Sequence, residues 1–109
     1  AIRTIRTRQR LRISLGDSGD AAMLRAIRVH ANFAEYVPFA ILLAAFVEIE
    51  GTRPYVVHAL CATLLLGRLL HAAAIGGPRM IFPLRVSGMV LTFTSLLGSA
   101  AILLYHALK

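Results

Sequence analysis

The sequence predicts an all-α integral membrane helix bundle. Three observations carry that expectation: an excess of apolar residues, three long segments nearly free of charge, and a lopsided distribution of arginine. Apolar residues fill 58% of the 109 positions and charged residues 16%, against roughly 45–50% and about 25% in soluble domains. A chain this short buries the smallest share of its surface on folding. An aqueous fold would therefore leave much of that apolar area in water, whereas lipid removes the conflict. The length suits one membrane domain spanning 1–109.

Residues 1–20 read as a basic segment. AIRTIRTRQRLRIS contains five arginines, too many to span. A net charge of +7 also raises nucleic acid as a partner. No aromatic residues interleave with these arginines as they do on single-strand-binding surfaces, and basic clusters beside membrane spans fix topology and touch anionic headgroups. Membrane lipids, and not nucleic acid, are the expected partners. Beginning at Ala1 without a signal-peptide pattern, the segment is expected to continue from residues upstream.

GDSGD at 16–20 is a turn, and Asp20 is a good N-cap for a helix over 21–49. Such a helix would be about 44 Å long, more than the roughly 30 Å hydrocarbon core. Its first two turns, with Arg25 and Arg28, should project. EGTRP ends it. A second helix over 54–75 opens on Pro54, suited to a first turn, and runs through Arg68 and His71 towards GGP at 76–78. A third covers 83–108, and Val86 to Leu108 gives 23 residues without a formal charge, enough to cross. Within it, Thr94 with Gly98 and Ser95 with Ser99 are small-xxx-small pairs suited to close helix packing. Cys61 stands alone in an apolar run without metal-ligand spacing, so it reads as a packing residue, and no metal site is expected.

Arginine and lysine give the direction. Ten of the twelve fall on one side, leaving Arg53 and Lys109 on the other. By the positive-inside rule the N-terminal segment and the loop 76–85 face the cytoplasm. That places RVHANFAEY (28–36), GRLLH (67–71) and PLR (83–85) at one depth on one side.

Polar groups at the mouth of an apolar run are costly, so RVHANFAEY needs a reason. Arg28, Asn32 and Glu35 share a helix face, and Tyr36 flanks it. Glu35 requires a compensating partner. Arg28 is about 10 Å away along the axis, which makes Arg68 on the next helix the better candidate. His30 points to another face and reads as a headgroup-level or intersubunit residue. Three readings of the stripe stand open. It could be a structural polar network, or a proton-coupled transport site built on Glu35, although the arginines would repel a cationic substrate. It could also be a pocket for an anionic, zwitterionic small molecule. In that case arginines clamp carboxylates, Glu35 takes an ammonium group and Asn32 takes amides. The residue types favour the pocket.

RVHANFAEYVP and HALCATLLLGRLLHA (58–72) resemble the membrane-associated proteins in eicosanoid and glutathione metabolism, the MAPEG family, in their bacterial branch. The family's Arg-x-x-x-Asn-x-x-Glu motif is matched by Arg28, Asn32 and Glu35, with Tyr36 following. Gly67-Arg68-x-x-His71 is similar to its third-helix signature, and Arg85 stands where the last helix carries an arginine that stabilises a thiolate. The resemblance covers about residues 16 to 108.

It implies a family four-helix up-down bundle, of which three transmembrane helices are visible here, assembled as a homotrimer in a bacterial inner membrane. Glutathione would be the co-substrate. Arg28, Asn32, Glu35, Tyr36, Arg68 and His71 would bind it, and Arg85 would be catalytic. A thiol near pKa 8.5 needs roughly 2.7 kcal/mol of preference for the thiolate to fall by about two units. One arginine in a partly dehydrated site can supply that. The thiolate would attack a lipophilic small-molecule electrophile or hydroperoxide arriving from the bilayer. Two features differ from the family: its first transmembrane helix is not visible, and Ile75 stands where animal members carry a tyrosine. The loop GGPRMIF is also longer, which makes Arg79 an alternative to Arg85. A non-catalytic structural or accessory role in a larger membrane protein complex is therefore the competing expectation.

Overall fold

A computed structural model of the chain describes residues 1–77 and 79–109. Four helices follow one another: α1 (Ile2–Leu11), α2 (Ala21–Ile49), α3 (Pro54–Gly76) and α4 (Phe82–Leu108). No strand occurs among the described residues. α2, α3 and α4 have 29, 23 and 27 residues and are apolar enough to cross a membrane. The expected break at GGP extends to Pro78, which lies outside the described residues.

Two compact units make up the chain, Ala1–Glu35 and Tyr36–Lys109. In the first, the basic segment is not wholly irregular, because ten of its residues form α1. The helix ends where Arg12 turns left-handed at φ 54 and returns its backbone N–H to Arg8 O. Arg8 then folds over the turn, donating from Nη1 to Gly16 O at 2.9 Å. Asp17 Oδ1 accepts the Gly19 N–H. Asp20 caps α2 as its residue type requires, its Oδ1 accepting the Met23 N–H at 2.8 Å. Thr4 Oγ1 donates to Ala26 O at 3.3 Å and ties α1 to the start of α2.

The second unit is organised by an antiparallel hairpin of α3 and α4. Three contacts mark its seam. Ser95 Oγ donates to Leu60 O at 2.9 Å, Gly67 meets Gly88 backbone to backbone, and Ile81 N–H donates to Ala74 O at 3.0 Å. From one contact to the next, each helix advances seven residues in opposite directions. A seven-residue repeat is the signature of left-handed helix packing, in which 3.5 residues per turn keep one seam facing the partner. At the far end Thr52 Oγ1 lies 3.2 Å from His106 Nε2.

Gly88, Thr92, Ser95 and Ser99 are the buried residues of α4. Small residues let helix backbones approach closely in lipid, where apolar side chains gain little by facing each other. The small-residue expectation is right for Ser95 and Ser99 but wrong for Thr94. That residue is exposed and returns its hydroxyl to Val90 O at 2.7 Å. α2 contributes Val37, Ala40, Ala44 and Val47 to the buried set, at spacings of three and four that define one helix face. Large apolar residues such as Phe39, Leu65, Phe93 and Leu97 point outwards, as lipid-facing side chains do.

Candidate functional site

Arg68 and His71 form the buried polar centre of the second unit. Three residues apart on α3, they share a face, and Arg68 Nη2 lies 3.3 Å from His71 Nδ1. Arg68 is 9% exposed and His71 2%. The backbone of His71 is pressed against Gly88, so the close approach of α3 and α4 fixes where the imidazole stands. Within the second unit, the hydrogen-bond partner of Arg68 is thus an imidazole on its own helix. Among the described residues, Arg68 Nε and Nη1 are buried without a hydrogen-bond partner. A buried cation with two idle donors is costly, and it is chemically suited to a planar anion such as a carboxylate.

Tyr36 and Arg85 belong to the surroundings of this centre. The Tyr36 phenol is an electrostatic neighbour of Arg68, and Arg85 is one of His71. Tyr36 is held by an edge-to-face contact with Phe93, ring centroids 5.3 Å apart at 80°, a geometry that aromatic quadrupoles favour. Arg85 sits in the first turn of α4, exposed, with its Nη1 3.3 Å from Met80 Sδ. A guanidinium donating to sulfur was not anticipated from sequence, since it depends on the fold of the loop before α4. Ile75, at the position expected of a family tyrosine, is 7% exposed and apolar. Arg79 is exposed.

In the first unit, Arg28, Asn32 and Glu35 lie along α2 with the spacing of one helix face. Arg28 and Glu35 are exposed and Asn32 is half-buried. His30 is also exposed. Tyr36, Arg68, His71 and Arg85 are therefore brought together in one unit, and the Arg28, Asn32 and Glu35 stripe is a feature of the other. No group of three His, Cys, Asp or Glu side chains arranged for a metal occurs among the described residues.

The MAPEG family model matches residues 1–105. Over 93 residues the chain is 40% identical to Inner membrane protein YecN of Escherichia coli strain K12, covering 85% of this chain and 70% of that protein. The protein of the same name from Escherichia coli O6:H1 gives the same identity and coverage. No solved structure matches the chain. Three apolar spans and these relatives make the chain an integral protein of the inner membrane, and the family match extends through α1 and all three of them. The chain belongs to the MAPEG family.

Proposed function

We propose that the chain is a glutathione-dependent transferase or peroxidase acting on lipophilic molecules that arrive from the bilayer. The observation that carries this reading is the buried Arg68, whose Nε and Nη1 lack partners among the described residues. Those donors suit a carboxylate, and glutathione offers two. Arg28, Asn32 and Glu35 supply a cation, an amide and an anion at helical spacing, which matches the charged and amide groups of the tripeptide. In this reading Tyr36 and His71, neighbours of Arg68 in the second unit, also contact the peptide, and the protein assembles as a homotrimer. The N-terminal segment and the loop 76–85 face the cytoplasm, where arginine is concentrated.

Arg85 activates the thiol. Its guanidinium already donates to a sulfur, the Met80 thioether, and a thiolate is a far better acceptor than a thioether because it carries charge. Stabilising the anion lets the thiol release its proton to solvent near neutral pH. With an electrophile, the sulfur forms the new C–S bond as the leaving group departs with its electron pair. With a hydroperoxide, sulfur takes the terminal oxygen as the O–O bond breaks, giving the sulfenic acid, and the alkoxide leaves as the alcohol after taking a proton from solvent. A second glutathione then yields the disulfide and water.

The test is glutathione binding to detergent-purified protein, followed by thiolate ultraviolet absorbance at neutral pH. The native protein should show the thiolate signal. Arg85→Ala should abolish that signal while binding persists, and Arg28→Ala should weaken binding itself. Absence of both binding and signal in the native protein would refute the enzyme reading. The stripe would then be a structural element of a larger membrane assembly.

A further inference from the structure

The first unit contains a cleft that the glutathione reading does not use. It lies between α1 and the first turns of α2, has a volume of about 480 Å³, and is lined by Arg3, Arg6 and Arg10 from α1 and Arg25 from α2. That volume is within the range of ligand pockets. Positions 3, 6 and 10 fall at spacings of three and four, so their side chains leave α1 on one face. Arg8 belongs to a different role, since its guanidinium closes the turn through Gly16 O and Ile13 O. No Asp or Glu is among the described residues lining the cleft. The nearby loop carboxylates of Asp17 and Asp20 accept backbone N–H groups of the turn and the cap.

We propose that this cleft binds the phosphate of an anionic phospholipid headgroup. Four arginines line one concavity, and Arg6 and Arg10, one turn apart on α1, offer planar forks of donors that suit a phosphate. The apolar residues beside it identify the source of the phosphate. Ile2 and Ile5 on α1 are 67% and 54% exposed, and Leu15 in the following turn is 87% exposed. Ile2 lines the cleft beside Arg3 and Arg6, and Ile5 stands about 60° round the helix from it. Exposed apolar groups therefore border the arginine face and can rest among acyl chains while the cations stay at headgroup level. The Thr4 bond to Ala26 O keeps α1 on α2, so the cleft is anchored to a helix that crosses the same membrane. A soluble phosphate would need the arginines but not the isoleucines. This proposal is independent of the enzymatic reading.

The experiment is native mass spectrometry of the full chain in mild detergent, with phosphatidylglycerol, phosphatidylcholine or inorganic phosphate added. Phosphatidylglycerol should be retained at least tenfold more than phosphatidylcholine. Each basic group near an anionic headgroup is worth about fivefold, so Arg6→Gln with Arg10→Gln should reduce retention roughly thirtyfold. Arg12→Gln with Arg53→Gln removes the same net charge at two exposed positions that do not line the cleft. It should leave retention within about twofold, because exposed, screened charges outside the site contribute little. Arg6→Lys with Arg10→Lys keeps the charge but loses the fork. It should fall between the native and glutamine variants, and it reports on the site even if the glutamine variant does not fold. Equal losses in the two charge-matched glutamine variants, or equal retention of both lipids, would overturn the proposal in favour of diffuse attraction. Displacement of the lipid by millimolar inorganic phosphate or by glutathione would overturn it in favour of a soluble anion.

Discussion

Gly67 and Gly88 bring α3 and α4 together with no side chain between them. A Cβ added at Gly88 would stand 2.6 Å from Gly67 O and 2.7 Å from His71 N. Both obstacles are backbone atoms, so neither can swing aside as a side-chain tip would. The same crossing positions the backbone of His71, and through it the partner of Arg68. Helix packing and the polar centre are one arrangement seen from two sides.

Gly88→Ala should therefore destabilise the hairpin by about 1–3 kcal/mol, the range for overpacking a well-filled interior. Gly98→Ala is the control, because its added methyl meets only Leu60 Cδ2, at 3.3 Å, the end of a flexible side chain. Thermal unfolding of both variants in detergent should show a large loss for Gly88→Ala and little change for Gly98→Ala. Equal behaviour would mean that the backbone contact is not the tight point of the seam.

Ser95 tests the polar part of the seam. Its hydroxyl donates to Leu60 O at 2.9 Å across the two helices. Interhelical hydrogen bonds in membrane proteins average about 0.6 kcal/mol, so Ser95→Ala should cost well under 1 kcal/mol and less than Gly88→Ala. A loss comparable with that of the glycine variant would show that hydrogen bonding, rather than close approach, dominates the hairpin.

Asp20 is a separate device in the first unit. Its carboxylate satisfies one of the orphan N–H groups in the first turn of α2. Asp20→Ala should cost about 1 kcal/mol, and Asp20→Asn much less, because asparagine caps almost as well. Hydrogen exchange at the Met23 amide is the readout. It should quicken in the alanine variant alone, with amides in the middle of α2 unchanged.

The three spans were legible because their ends carry strong signals: Asp20 as a cap, Pro54 at the start of α3, and Pro83 in the first turn of α4. α1 was hidden because charge density dominates that stretch, although Ile2 and Ile5 fall at a helical spacing. The α4 seam was half legible. Ser95 and Ser99 were found as a pair, but the contacting row is Gly88, Thr92, Ser95 and Ser99, at spacings of four, three and four. That periodicity could have been read had the row, and not the pairs, been sought. Arg68 and His71 were both identified from a motif, and their contact follows from a spacing of three on one helix, which the motif alone does not express. The Arg85 contact with Met80 had no sequence signal, because a loop conformation decides it.

Arg68 separates stability from binding most cleanly. Replacing a buried charge by an apolar residue of similar length is often neutral or stabilising, since the desolvation cost disappears with the charge. Here Nε and Nη1 have no partner among the described residues, so little hydrogen bonding offsets that cost. Arg68→Met should therefore keep or raise the unfolding midpoint of the ligand-free protein. The native protein should gain about 2.7 kcal/mol of stability at glutathione concentrations a hundredfold above Kd, and the methionine variant should gain almost none. His71→Ala should behave in the opposite way, lowering ligand-free stability by about 1–3 kcal/mol because it leaves the guanidinium buried with no partner at all. A methionine variant that is destabilised without ligand, yet gains the full glutathione effect, would make Arg68 a structural residue and remove it from the binding site.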